Sequence, residues 1–174
     1  MRPVNFRDVG ESLGLWLDPS PLPIGRLLRG GRFDTLSSLQ DLGNPLTILN
    51  LRRGPEPDHL DAARAHVPAP DDVENYQTHQ RRVLEWVRSA IATLASGESP
   101  VYVHCTSGRD RTGVVVAAVL LEIGVPPDVI VDEYLLSEGG DPALIARAIT
   151  GLSARSLLGA RDRVALRRRL GVLD

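Results

Sequence analysis

The apolar pattern of this chain predicts an α/β fold, and three observations carry the prediction. Short apolar runs of strand length alternate with longer stretches of helical period through the middle of the sequence. The two best runs, 46–51 and Val101–His104, are partly β-branched and each follows a proline. The segment 114–121 is apolar at every position, as a helix covered on all sides must be. The expected architecture has three layers: a central, mainly parallel sheet of four to five strands flanked by helices, with a helical C-terminal third.

Strands are expected at 26–29, 46–51, 65–67 and Val101–His104. The longest helix is expected over 72–96. There Val73, Tyr76, Val83, Val87, Ala90 and Leu94 recur at helical spacing, Asp71 and Glu74 offer a capping box, and Gly97 is placed to stop it. The next begins near Asp110 and ends at Gly124 and the Pro126-Pro127 pair. Three more follow: 128–137, then 142–152 with Asp141 as N-cap and Pro142 in the first position, then Ala160–Leu170. No repeat or linker divides the chain, so residues 1–174 read as one domain.

Composition narrows the class. A chain of 174 residues can bury a substantial core, and its 43% hydrophobic and 24% charged content is that of a soluble domain. A net charge of -2 gives no basic field for nucleic acid. All 20 basic residues are arginine, so the positions of the guanidiniums matter more than their number. One cysteine excludes an internal disulfide. The first residues hold no apolar stretch of the signal-peptide kind, and the run 114–121 falls far short of the roughly 18 residues that span a bilayer. The expectation is a cytoplasmic protein without an integral membrane segment.

The chemistry concentrates in His104-Cys105-Thr106-Ser107-Gly108-Arg109-Asp110-Arg111-Thr112-Gly113, between a good strand and the most apolar helix. A loop there presents successive backbone N–H groups and a helix N-terminus, which together attract an anion. Cys105 opens the loop and Arg111 closes it, a Cys-x5-Arg spacing. A thiol so placed is expected to fall from about 8.5 towards a thiolate at neutral pH. The planar guanidinium of Arg111 can hold two oxygens of a phosphoryl group at once, which an ammonium does less well. The amides from Thr106 to Arg111 would supply further donors, and Gly108 lets the backbone curl without a side chain in the cradle. Thr112 can donate its hydroxyl to the Cys105 sulfur. A nucleotide loop of the Gly-Lys-Ser/Thr kind is excluded, since that sequence is absent.

At these residues the chain resembles the cysteine-dependent protein tyrosine and dual-specificity phosphatase superfamily. It looks closest to bacterial tyrosine/serine phosphatases whose loop reads His-Cys-x-x-Gly-Lys-Asp-Arg-Thr-Gly. Asn5-Phe6-Arg7-Asp8-Val9-Gly10 is similar to that family's N-terminal Asn-Phe-Arg-Asp segment, and Leu28-Arg29-Gly30-Gly31-Arg32-Phe33 to its Arg-Ser-Gly strand and turn. Leu51-Arg52 through Glu56 resembles its Asp-Leu-Arg segment, and Glu133-Tyr134-Leu135-Leu136-Ser137 a helix downstream of the loop. Three positions depart from the pattern. Asn50 replaces an Asp, Glu11 a second Gly and Arg109 the loop Lys, and the chain is shorter than relatives with a long helical lid.

The resemblance implies phosphomonoester hydrolysis through a phosphocysteine, with no cofactor and no metal, because the loop itself supplies positive potential. Two placements of the general acid stay open. Asp110 lies in the loop, as in the bacterial subfamily, whereas Asp71 or Asp72 follows His66-Val67-Pro68-Ala69-Pro70, which looks like the acid loop of dual-specificity phosphatases. His104, Arg7, Asp8 and Arg52 are expected to support the loop, and Arg109 to face the mouth, where Tyr76 and His79 could line it. The partner is a phosphorylated protein or, alternatively, a small phosphorylated metabolite such as a nucleotide, sugar phosphate, inositol phosphate or phosphoinositide. A catalytically inactive phosphate-binding module is the third reading.

Overall fold

A computed structural model describes residues 1–56 and 58–172. Its sheet has five strands: β1 (Arg7–Asp8), β2 (Leu27–Gly30), β3 (Thr47–Asn50), β4 (Ala63–His66) and β5 (Val101–His104), in the order β1-β2-β5-β3-β4. Only β1 runs antiparallel to its neighbour; β2, β5, β3 and β4 are parallel. β5 is therefore central, and everything that leaves its C-terminal end emerges in the middle of the sheet. That is the edge of a parallel α/β sheet where ligands are bound.

Six helices complete the described residues: α1 (Val9–Leu13), α2 (Arg81–Ser96), α3 (Asp110–Glu122), α4 (Pro127–Leu135), α5 (Pro142–Ser153) and α6 (Ala160–Leu170). The strands alternate strictly between two apolar faces. Leu27, Leu49, Val101 and Val103 join the large core under the helices, while Leu28, Ile48 and Tyr102 join a smaller one. The layers are unequal. All six helices bury side chains in the large core, and Phe33, Leu36, Leu42 and Leu60 close the other face from loops and a 3-10 turn at Leu39–Leu42. Every residue of α3 from Arg111 to Leu120 is buried, which explains a helix with no polar stripe.

The mainly parallel sheet, Val101–His104 and Ala160–Leu170 are as the sequence predicts, and the other predicted strands and helices shift by a residue or two at their ends. The expected helix over 72–96 is instead two elements, a 3-10 turn at Val73–Tyr76 and α2 from Arg81. The break has a physical cause. Residues 77–82 carry no apolar side chain to bury on a helical face, and Thr78 Oγ1 donates to Ala148 O of α5 at 2.6 Å. The carbonyls of Pro70 and Asp72 accept from the Asn75 amide at 2.7 and 2.8 Å, a local competitor to helix. Asp72, not Asp71, caps the turn, accepting from Glu74 N at 2.8 Å. Among the described residues no helix is long and apolar enough to cross a membrane.

Candidate active site

The loop between β5 and α3 is held from outside by three carbonyl contacts in succession. Thr106 O accepts from Arg32 N at 3.1 Å, Ser107 O from Asn5 Nδ2 at 2.9 Å, and Gly108 O from an Arg29 amino group at 3.1 Å. In a trans peptide the next N–H points opposite to the carbonyl. The amides of Ser107, Gly108 and Arg109 are thereby turned to the other side, and none of them donates to a described residue. The first turn of α3 adds its own unpaired N–H groups. Gly108 sits at φ +68°, and a Cβ there would lie 2.2 Å from the Gly30 carbonyl carbon, so only glycine fits.

Cys105 continues the alternation of Val101 and Val103 on the helical side of the sheet and is 1% exposed. It directly precedes an exposed Thr106 and a half-buried Ser107. Arg111 is 3% exposed, and its side chain folds back from α3 to the residue that follows Cys105. One amino group donates to Ala69 O at 3.1 Å; the other donates to Thr106 Oγ1 at 3.2 Å and lies 3.2 Å from an Asp71 carboxylate oxygen. The Arg111 Nε and Thr112 Oγ1 are buried without a partner among the described residues. A buried donor left unmade costs about 1–3 kcal/mol, and both of these are of the kind that an oxyanion or a thiolate satisfies.

All three candidate carboxylates meet in one cleft of about 230 Å³, with Arg109, Tyr76 and Val73 on its walls. Asp110 accepts from the Tyr76 hydroxyl at 2.5 Å and from Arg109 Nε and an amino group at 3.1 and 2.9 Å. Burial pushes the Asp110 carboxyl up, but the hydrogen bonds from Arg109 and Tyr76 outweigh it and hold the group below its ordinary value. Burial and the same contact hold the Tyr76 phenol far above its ordinary value, so it stays a donor, and it also meets Tyr134 Oη at 2.6 Å. Asp71 is exposed at the rim and touches the clamp; Asp72 is spent on its cap. Arg109 does reach the cleft, but its charge is engaged by Asp110.

The other predicted residues are distributed around the loop. His104 is fully buried, stacks on Tyr102 with ring centroids 5.5 Å apart, and pairs through Nε2 with Glu56. Arg7 reaches Glu133 at 2.7 Å. Asp8 caps α1 through Gly10 N and Glu11 N and holds Gly25 N; Arg52 pairs with Asp34 at 3.5 Å. Neither Asp8 nor Arg52 contacts the loop through these bonds. His79 is exposed, while Tyr76 is buried and in contact with Asp110. Sequence reasoning left Arg29, Glu133, Glu56 and Tyr134 without roles. A signal was there for two of them: Arg29 interrupts a strand buried on both faces and Glu133 an otherwise apolar helix face, and a charge in such a place demands a partner.

A cysteine directly after the central strand, an anchored loop of free amides and an arginine closing it make up the constellation to which the sequence points. The chain belongs to the tyrosine phosphatase family, whose profile matches residues 2–166. Over 57 residues it is 49% identical to the triple specificity protein phosphatase PtpB of Mycobacterium tuberculosis. That stretch is 33% of this chain and 21% of the relative, so the likeness spans about a fifth of that protein.

Proposed function

We propose that this chain is a single-domain, cysteine-dependent protein phosphatase that hydrolyses phosphomonoesters through a phosphocysteine. The observation that carries the reading is the set of outward-tied carbonyls at Thr106, Ser107 and Gly108, closed by Arg111. The Cys105 sulfur attacks phosphorus in line; the P–O bond to the alcohol or phenol breaks, and the leaving oxygen takes a proton. Water then attacks the phosphocysteine, the S–P bond breaks, and inorganic phosphate leaves with the sulfur restored. The loop amides and Arg111 stabilise the charge on the phosphoryl oxygens in both steps. Thr112, whose hydroxyl has no partner among the described residues, is suited to receive the departing thiolate.

Asp110 is the proton carrier in this reading, because Tyr76 and Arg109 fix its carboxyl at the mouth of the loop. It is a carboxylate at rest, and a phosphoryl dianion beside it favours proton uptake. A second reading rests on the Asp71–Arg111 contact. Phosphate would take Arg111 from Asp71, leaving that carboxyl without its cation and ready to accept a proton. Loss of the true acid costs about 10²–10⁴-fold, and more for an alkyl than for an activated aryl leaving group. Comparing Asp110→Asn with Asp71→Asn on the two substrate types assigns the role: the acid is the residue whose variant loses selectively on the alkyl ester.

Phosphoproteins are the substrate class favoured, in keeping with the relative's being a protein phosphatase. A small polyanionic metabolite needs a second free cation near the clamp, and Arg109 is engaged by Asp110. The expected outcome is chelator-insensitive hydrolysis of p-nitrophenyl phosphate, abolished in Cys105→Ser, with phosphopeptides preferred over inositol phosphates, nucleotides and sugar phosphates. Tight phosphate binding without turnover would instead mark an inactive module.

A further inference from the structure

Beneath the loop, on the side away from its free amides, lies a buried group of charges of which the reading above uses only the Arg29 contact to Gly108 O. Arg29 of β2 is 0% exposed, Glu133 of α4 1% and Arg7 of β1 12%. Glu133 gives one carboxylate oxygen to Arg7 Nε at 2.7 Å and the other to Arg29 at 2.6 Å. The Glu133 carbonyl also accepts from Arg7 at 2.8 Å, and Ser137 Oγ lies 3.0 Å from Arg7 and 3.4 Å from Arg29. The remaining amino group of Arg29 holds Gly108 O.

Two guanidiniums against one carboxylate leave one positive charge in excess, in a place with little water. The crowding is visible at Arg7, lowered to about 10 by burial first and by Arg29 second, against the pull of Glu133. As a scaffold alone this is a poor choice, because buried ion pairs seldom improve on apolar packing and an uncompensated charge is worse. The excess gains a purpose only when an anion binds nearby. The contact to Gly108 states where. A carbonyl gripped from behind the loop turns its peptide so that the following N–H, that of Arg109, faces forward.

We propose that Arg29 is a positioning residue of the oxyanion site: oriented by Glu133, it pins the Gly108 carbonyl so that the Arg109 amide faces the bound phosphoryl group, and the unbalanced charge of the Arg7–Glu133–Arg29 group supports that anion from below. The inference rests on the phosphatase reading for its substrate, not for its test. Arg29→Lys keeps a cation but cannot reach both Glu133 and Gly108 O in the fork geometry of a guanidinium.

The test uses the full chain with inorganic phosphate as probe, measured by calorimetry and as a competitive inhibitor of p-nitrophenyl phosphate hydrolysis. Arg29→Lys is expected to weaken phosphate binding about tenfold and Arg29→Gln up to about a hundredfold, with kcat falling as well as KM rising. Should Arg29→Gln not fold, Ser137→Ala retains every charge and removes one support of Arg29; a several-fold weaker phosphate affinity is expected. Unchanged phosphate affinity in Arg29→Lys and Ser137→Ala, with only a lower melting temperature, would overturn the proposal. A wild-type chain that binds phosphate without turnover refutes the phosphatase reading, and the calorimetric comparison still decides the role of Arg29.

Discussion

Tyr76 stands between two groups that give its hydroxyl different work: it donates to Asp110 at 2.5 Å and meets Tyr134 at 2.6 Å. Its bond to Asp110 is one reason that carboxyl lies below its ordinary value. A carboxylate depressed in the folded state adds stability that is present above its unfolded pKa, about 3.9, and is lost as pH falls through the folded value. Tyr76→Phe removes one donor, so Asp110 moves up and part of that stability disappears. The expected loss is about 1 kcal/mol at neutral pH, kept small because Asp110 is partly screened by solvent. Urea unfolding at pH 7 and pH 3.5 checks the sign: the gap between wild type and variant must begin to narrow at the lower pH, as the Asp110 carboxylate starts to take up a proton. Arg111→Lys tests the clamp in the same terms. An ammonium cannot span Ala69 O, Thr106 Oγ1 and a phosphoryl oxygen together, and a drop of about 10²–10³-fold in kcat/KM on p-nitrophenyl phosphate is expected.

At the scale of elements, the parts legible in the sequence are those whose side chains state one requirement. β5 is buried along its length and α3 is apolar at every position from Val114 to Leu121, and both are found where their composition puts them. The loop between them stands out in the sequence through the full string from His104 to Gly113 set between that strand and that helix, because Cys-x5-Arg alone arises often by chance. The break after Tyr76 was harder to read, since it depends on Thr78 finding the Ala148 carbonyl of a helix about seventy residues away. Arg29 and Glu133 are similar: each announces a need for a partner, and only the fold tells that they satisfy each other. The Thr78 junction carries a prediction of its own. A Cβ on Gly151 of α5 would lie 2.3 Å from Thr78 Oγ1 and 2.8 Å from His79 N, a backbone atom that cannot step aside. Gly151→Ala is therefore expected to push residues 73–79 off α5, costing about 1–3 kcal/mol of stability. Because Tyr76 moves with that segment, its grip on Asp110 loosens and turnover of an alkyl phosphate falls more than that of an aryl phosphate. Thermal unfolding together with the two-substrate comparison measures both effects.

Over the whole molecule the division of labour is between a sheet that is apolar on both faces and a rim that is overfilled with positive charge. The strands need no ligand to pack, for β2, β3 and β5 are buried along their full length. The loop is different: in the proposed reading its amides, the Arg111 Nε and the excess charge behind Gly108 are the groups that a bound anion would satisfy. An anion that binds only the folded chain stabilises it by RT ln(1 + [L]/Kd), about 2.7 kcal/mol at a hundredfold excess over Kd. For a domain of this size that corresponds to a rise of roughly 5–10 °C in melting temperature. Inorganic phosphate is expected to give such a rise, measured against chloride at equal ionic strength so that general screening is removed. Cys105→Ser should keep most of it, because in the proposed mechanism the sulfur is the nucleophile and not the main holder of the oxygens. Arg111→Met should lose it. A phosphate shift of equal size in all three proteins would mean that the anion stabilises the fold from some other surface, and the assignment of the loop as its seat would fail with it.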